Sequence, residues 1–385
     1  MKKFNHFIKK TKLNNEYVYF NTVTKKILNV NDSYESFENN SFLQHQEDDV
    51  VKNYLGKISD KLIITIVPTI RCNLRCSHCV VLNELDNKDF SRLDINNFYA
   101  FFERLIEFTG QKQCTINFVG GEPLLEAKYC LDLINGYKKI VEKNEIKSIL
   151  TLTTNAAMCI TSDMIDLLKD MDEFIVSLDG VKDIHNEQRK SIDKSIDPYE
   201  QTIENIKLFL DLGLNFKIQA AVKDKHQNDK EHSDFLRVLM KMGVDPENIK
   251  YGCVHPTVNN PEPNDSFSSY LKELPIRQIP CCKYRLMGSF CIDTKENVYS
   301  NYYTKNQNSL LGKLTTNIEE IKEEYSKSIN QMPSLHDDKC KKCPVIGYCW
   351  GGCVNGMIEK PSDYCNQKGL IESVELSAKA GNLII

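Results

Sequence analysis

From residue 61 onward the chain alternates short, β-branched apolar runs with longer stretches whose apolar residues recur every three or four positions. The runs Leu62–Val67, Cys114–Val119, Ser148–Thr154, Glu173–Leu178, Leu214–Val222 and Asn248–Val254 read as strands. Between them Asp94–Phe108, Ala127–Glu142, Thr161–Lys169, Pro198–Leu212 and His232–Met242 read as amphipathic helices. Strand and helix in turn predict an α/β fold with a parallel sheet, since parallel crossovers place helices over both sheet faces. Six strands predict a partial (β/α)6 barrel, with its reactive groups at the carboxyl ends of the strands, where loops vary freely.

The flanks differ from this middle section. In the amino-terminal segment, residues 1–60, Tyr17–Phe20 and Lys26–Val30 can pair as a hairpin across Asn21–Lys25. The lysines Lys2, Lys3, Lys9, Lys10 and Lys12 read as a solvated tail. The barrel occupies 61–254, and 255–280 is rich in Pro, Asn, Asp and Ser, as a linker is. Residues 281–385 hold eight cysteines between 281 and 365 and few long apolar runs, which suits a small unit held together by metal. There is no internal repeat.

The 385 residues are 41% hydrophobic, enough for one large core and a smaller unit and too much for a disordered chain. A net charge of −4 leaves no basic field over the molecule, so no nucleic-acid partner is expected. Met1–Tyr19 has no apolar signal region, and no apolar run approaches the roughly 20 residues of a membrane span. The expected location is cytoplasmic, without a membrane partner. Fifteen cysteines in such a compartment point to metal ligation before disulfides.

The first strand runs directly into Thr69-Ile-Arg-Cys72-Asn-Leu-Arg-Cys76-Ser-His-Cys79, with the spacing C-x3-C-x2-C. Three thiolates on one loop can hold three irons of a cubane and leave the fourth open to a chelating ligand. The alternative, a zinc knuckle, calls for four ligands and usually paired C-x2-C units. Further segments follow at successive strand ends: Gly120-Gly121-Glu122-Pro123, Thr154-Asn155, and Ser177-Leu-Asp-Gly180 with Arg189 after it.

With these motifs, roughly Leu62 to Val254 resembles the radical S-adenosylmethionine (SAM) superfamily. The resemblance implies a 4Fe-4S cluster on Cys72, Cys76 and Cys79, with SAM on the open iron. It implies reductive cleavage of SAM to a 5′-deoxyadenosyl radical, with flavodoxin or ferredoxin as the kind of reductant. Gly121 and Glu122 would then meet the SAM amino group, and Asn155 would lie near its ribose. Ser177 and Arg189 would bind ribose and carboxylate, as a guanidinium fork suits. His78 fills the usually aromatic slot near adenine, and as a lone histidine it serves equally for packing.

Near the carboxyl terminus, Cys340, Cys343, Cys349 and Cys353 have the spacing C-x2-C-x5-C-x3-C, with Cys365 beyond. This resembles the SPASM extension of radical SAM enzymes that act on peptides, which carries auxiliary iron–sulfur clusters. Thiolate spacing alone does not separate iron–sulfur from zinc. By resemblance Cys340, Cys343, Cys349 and Cys365 hold the second auxiliary cluster, and Cys353 crosses to the first. The first site departs from the family, because its G-x-V-Y-P-C hairpin end reads Glu296-Asn-Val-Tyr-Ser-Asn301 here. Asn297 is expected to supply the left-handed turn, and Asn301 replaces a cysteine. Cys281, Cys282, Cys291 and Cys353 remain as ligands, used either all together or as three with one iron open. Cys114, Cys130, Cys159 and Cys253 fall on core elements or their ends and are expected to pack.

The resemblance thus implies an oxidoreductase that matures a ribosomally made precursor peptide by thioether, carbon–carbon or carbon–oxygen cross-linking or another modification. Residues 1–60 are then a candidate leader-binding segment. Sulfatase maturation to formylglycine is the rival, weakened because Tyr302 stands where that subfamily has an Asp base. A small-molecule enzyme with the same extension is a third reading. A non-catalytic electron carrier would leave Glu122, Asn155, Ser177 and Arg189 idle.

Overall fold

The computed structural model describes residues 8–13, 16–21, 27–30, 58–79, 81–85, 91–222, 229–253, 287–300 and 309–330. They divide between two units, one built from 58–264 and 288–325, the other from 1–57, 265–287 and 326–385.

In the second of these units, β1 (Ile8–Leu13), β2 (Glu16–Asn21) and β3 (Ile27–Val30) form an antiparallel sheet in that order. The β2–β3 hairpin matches the expected pairing, with Tyr17 opposite Val30 and Phe20 opposite Ile27. The lysine-rich stretch is in part a correction: Lys9, Lys10 and Lys12 lie in β1, paired along its length with β2, and not in a tail, while Lys2 and Lys3 lie outside the described residues. Only Asn14 and Asn15 separate these strands in sequence, a spacing and composition that favour a hairpin.

The larger unit follows the predicted alternation: β4 (Ile58–Ile66), β5 (Leu74–Cys76), α1 (Leu82–Leu85), α2 (Ile95–Thr109), β6 (Gln113–Phe118), α3 (Ala127–Lys143), β7 (Lys147–Thr154) and α4 (Ser162–Lys169). Then come β8 (Glu173–Ser177), α5 (Lys182–Gln188), β9 (Arg189–Ser191), α6 (Pro198–Asp211), β10 (Phe216–Val222), α7 (Asp229–Lys241) and β11 (Ile249–Cys253). The strands β4, β6, β7, β8, β10 and β11 pair in parallel, each next to its predecessor. Among the described residues no helix is long and apolar enough to cross a membrane.

Local chemistry sets the helix limits. Asp94 accepts from Asn96 N–H at 2.7 Å to open α2, and Gly110 closes it in the left-handed conformation. Asp197 caps α6, and Pro198 fills its first turn, where no amide hydrogen is needed. The buried face of α2 presents Phe98, Phe101, Phe102 and Leu105, each burial contributing about 1.5–3 kcal/mol. Phe98 stacks on Phe102, which meets Tyr137 of α3, and Leu62, Ile64, Ile116, Phe118 and Leu152 of the sheet are buried as well.

Two features were not legible in the alternation. The short α5 and β9 interrupt the β8–α6 connection, and β9 pairs antiparallel with β5. The sheet also does not end at β4: β12 (Met287–Ile292), β13 (Asn297–Tyr299) and β14 (Leu310–Lys313) extend it, followed by α8 (Ile318–Asn330). The β12–β13 turn carries a second correction, since Glu296, and not Asn297, is left-handed at φ 65°. Its carboxylate accepts from Asp94 N–H at 2.9 Å and Asn97 Nδ2 at 3.0 Å, at the amino end of α2, which offsets the backbone strain. Cys114 and Cys130 are buried as expected, whereas Cys159 is exposed, because it lies on the loop after β7. Cys253 ends β11.

Candidate active site

The loop leaving β4 carries Cys72, Cys76 and Cys79, and the segment leaving β6 lies against it. Gly121 N–H donates to Thr69 O at 2.9 Å and Glu122 N–H to Arg71 O at 2.7 Å. A β-carbon on Gly121 would stand 2.1 Å from Arg71 O, and one on Gly120, at φ 141°, 2.6 Å from Thr69 O. At both positions only a glycine lets the backbone come this close to the cysteine loop's own backbone. Glu126 adds side-chain pairs to Arg71 and Arg92 across the same junction.

Glu122 is buried, and its two oxygens accept from Leu124 N–H at 3.1 Å and Asn155 N–H at 2.8 Å. Asn155 donates through Nδ2 to Asn73 Oδ1 at 2.9 Å, and the same nitrogen lies 3.7 Å from Cys72 Sγ. Asn73 answers by donating to Ala157 O at 2.7 Å. The carboxyl ends of β4, β6 and β7 are thus tied at one point. Between them Ala156 holds a left-handed φ of 51°, fixed by its N–H on Thr154 Oγ1 at 2.9 Å and by Asn205 Nδ2 on its carbonyl at 2.7 Å.

On the other side, the β5–β9 pairing sets Cys76 opposite Arg189. Arg189 clasps Asp179 with Nε at 2.7 Å and a terminal nitrogen at 2.9 Å, and its other terminal nitrogen lies 3.9 Å from Cys76 Sγ. Asp179 is fully buried, accepts from Ala221 N–H at 2.9 Å, and donates its own N–H to His185 Nδ1 at 3.2 Å. The fork that the sequence assigns to a ligand carboxylate is thus engaged with a carboxylate of the chain itself. His78 Nε2 stands 3.9 Å from Asp179, and Ser177 ends β8, buried.

Burial sets the electrostatics. It pushes the Cys72 thiol up to about 12, with help from the Glu122 charge. Burial also pushes Cys76 up to about 11 against the opposing pull of Arg189, and raises Cys79. Burial raises Glu122 to about 7 despite its hydrogen bonds from Asn155, Thr154 and Leu124. For Asp179 burial would raise the carboxyl, but Arg189, then His78, hold it below the usual carboxylate range. Burial drops His185 to about 4.

This donor set fits an iron–sulfur cubane. Buried thiols carry protons at neutral pH, and bound iron would displace them by supplying the missing positive charge. Among the described residues no three thiol, imidazole or carboxylate side chains converge as ligands of a single ion. A cubane asks for something else, since each of its thiolates binds a different iron.

Among the remaining expected ligands, Cys291 is fully buried beside Val67 and Ile70, with Val119 and Tyr299 packed against the group. Cys281, Cys282, Asn301, Tyr302, Cys340, Cys343, Cys349, Cys353 and Cys365 lie outside the described residues. Sequence reasoning missed Asn73 and Asp179 as site residues. Asp179 stood within a motif already singled out, but its partner Arg189 is reached only through the β5–β9 pairing.

Residues 66–239 match the model of the Radical SAM superfamily. Over 329 residues, 73% of this chain and 84% of the relative, the chain is 24% identical to the cysteine-type anaerobic sulfatase-maturating enzyme of Clostridium novyi (strain NT). It is 28% identical over 206 residues to the GTP 3′,8-cyclase of Listeria monocytogenes serotype 4b, spanning 57% of that relative. Native anSMEcpe with bound AdoMet and Cp18Cys peptide superposes with a TM-score of 0.63 at 18% identity, over 84% of this chain and 99% of that one. Streptococcus suis SuiB bound to precursor peptide SuiA superposes at 0.57 and 15% identity, over 94% and 98%. At these identities the structural likeness carries the fold.

Proposed function

We propose that this chain, an enzyme built on a radical SAM domain and acting on a peptide or protein side chain, matures a ribosomally made precursor peptide. Its cofactors are 4Fe-4S clusters and SAM. One observation carries the reading: the three-cysteine loop, the buried Glu122 and Asn155 meet at the carboxyl ends of three parallel strands. With cluster and SAM bound and one electron supplied, the cofactors provide a 5′-deoxyadenosyl radical that takes a hydrogen atom from the substrate.

The chain's residues hold this chemistry in place. Cys72, Cys76 and Cys79 would hold three irons, and Glu122 would offer its remaining lone pairs to the N–H donors of the SAM amino group. Gly121, Asn155, Ser177 and His78 line the SAM side. Arg189, engaged with Asp179, acts on the cluster side more than as a carboxylate fork. Among the described residues β1 and β3 are the edge strands of their sheet, on which an extended leader can add. Cys282, Cys291, Cys340, Cys343, Cys349, Cys353 and Cys365 serve the auxiliary clusters, with Cys281 an alternative to Cys282.

The decisive experiment incubates anaerobically reconstituted protein with SAM, a reductant and two cysteine-containing peptides, one a precursor from a neighbouring gene, the other from a sulfatase. Loss of a hydrogen pair with sulfur retained in the precursor is the expected product. Conversion of the sulfatase cysteine to formylglycine, with loss of sulfur, would favour the second reading. That reading draws support from the 24% identity to a sulfatase-maturating enzyme and is opposed by Tyr302 at the base position.

Glu122 makes SAM binding depend on pH. Its carboxyl titrates near 7, above its ordinary value, so its contribution to folding is full in acid and is lost as pH rises through about 7. The N–H donors of the SAM amino group bind the ionised carboxylate more strongly than the protonated one, so the sign for SAM is opposite. Affinity should rise through pH 7 and fall up to about tenfold per unit below it. Equilibrium binding across this range measures the effect. A pH profile identical in wild type and Glu122→Gln would remove Glu122 from the contact.

A further inference from the structure

We propose that Asp179 is a positioning residue that aims one Arg189 N–H at the Cys76 sulfur and thereby sets the reduction potential of the SAM-binding cluster. This rests on the reading that Cys72, Cys76 and Cys79 hold that cluster.

The geometry is over-determined at each joint. A guanidinium is planar and rigid, so two nitrogens fixed on the Asp179 oxygens at 2.7 and 2.9 Å also fix the third. That third nitrogen is the one 3.9 Å from Cys76 Sγ. Asp179 is fully buried and anchored in turn by the Ala221 N–H at the end of β10 and by its own N–H on His185. The backbone delivers the partners to each other, since Cys76 is the residue of β5 that faces Arg189 in β9. The pair is therefore built from β8, β10 and the short ribbon, and its free corner points at a cluster ligand.

The energetics argue for a purpose beyond stability. Burying an ion pair removes both charges from water, and apolar replacements of similar volume are often equally stable. Here the buried pair leaves a cationic donor at one sulfur. The hydrogen-bond donors at the other two thiols are neutral, the Leu74 N–H at 3.4 Å and Asn155 Nδ2 at 3.7 Å for Cys72 and the Val81 N–H for Cys79, although the Arg189 and Arg75 charges also act on Cys79 without donating to it. A reduced cluster carries one more negative charge than an oxidised one. Hydrogen bonds to its sulfurs and net charge around it both shift its potential, and a cationic N–H supplies both, favouring reduction.

The test keeps formal charge constant. Asp179→Glu moves the guanidinium without removing the carboxylate, and Arg189→Lys keeps the cation but loses the fork. Each variant is reconstituted anaerobically without SAM, and the cluster is titrated with mediators and followed by EPR. Its signal is identified by loss in the Cys72/Cys76/Cys79 triple alanine variant. At the wild-type midpoint the ratio of reduced to oxidised cluster should fall about tenfold in both variants, a midpoint lower by ~59 mV for one electron. An unchanged midpoint in variants with full iron content overturns the proposal.

Because either variant can fail to fold, the wild type is also labelled with 15N-arginine and its reduced cluster probed by pulsed EPR. A 15N coupling is expected, and its absence overturns the proposal whatever the variants do. If the triple variant keeps the full cluster signal, the cluster assignment itself fails, a result distinct from an intact cluster with no arginine coupling.

Discussion

Replacing Cys72, Cys76 and Cys79 by alanine should abolish SAM cleavage and remove one cluster's worth of iron and sulfide, the largest effect expected of any substitution. In the proposed cluster each thiolate would hold a different iron, so even a single loss would open a second iron to solvent. The three also share a loop whose shape the rest of the site maintains: Asn155 reaches Cys72, and Arg189 reaches Cys76. Alanines leave that scaffold in place, because the strands β4, β6 and β7 do not depend on the thiols. Iron analysis and quantification of 5′-deoxyadenosine are the measurements. Undiminished cleavage, or stoichiometric zinc with negligible iron in the reconstituted wild type, would rule out the assignment.

The second large effect is expected from Gly121→Ala. The added methyl would stand 2.1 Å from Arg71 O, with the Arg71 and Ile70 carbonyl carbons at 2.6 and 2.7 Å. These are backbone atoms and cannot swing aside as a side chain can. The two hydrogen bonds joining this segment to the cysteine loop, from Gly121 to Thr69 and from Glu122 to Arg71, must lengthen or break. Overpacking of this kind costs about 1–3 kcal/mol, and each broken hydrogen bond adds about 1 kcal/mol. We expect a clear drop in the denaturation midpoint and a cluster that is lost on desalting. Gly110→Ala is the control: its β-carbon would meet nothing within 4 Å, so it tests left-handed strain alone. Equal effects from the two substitutions would show that contact with the loop is not what Gly121 provides.

The parallel α/β architecture is legible in the chain alone, because six apolar runs and the amphipathic stretches between them specify their own periods. Element limits such as Ala127–Lys143 and Ser162–Lys169 fall within a residue or so of the expectation, and Thr161 caps the second of them through its side chain. The sequence also placed Cys72, Cys76 and Cys79 on one loop after the first strand, since close spacing along the chain keeps residues near one another in space. What it could not determine were relations between distant segments. That Gly121 packs on Arg71, that Arg189 is clasped by Asp179, and that β12 joins the edge of β4 are consequences of strand register. The β5–β9 ribbon has three residues on each side, too few to show a period, yet it decides which way the guanidinium faces. The left-handed Glu296 and the exposed Cys159 follow the same rule. A residue's type fixes what it can bind, while the backbone brought alongside by the fold determines what it does bind.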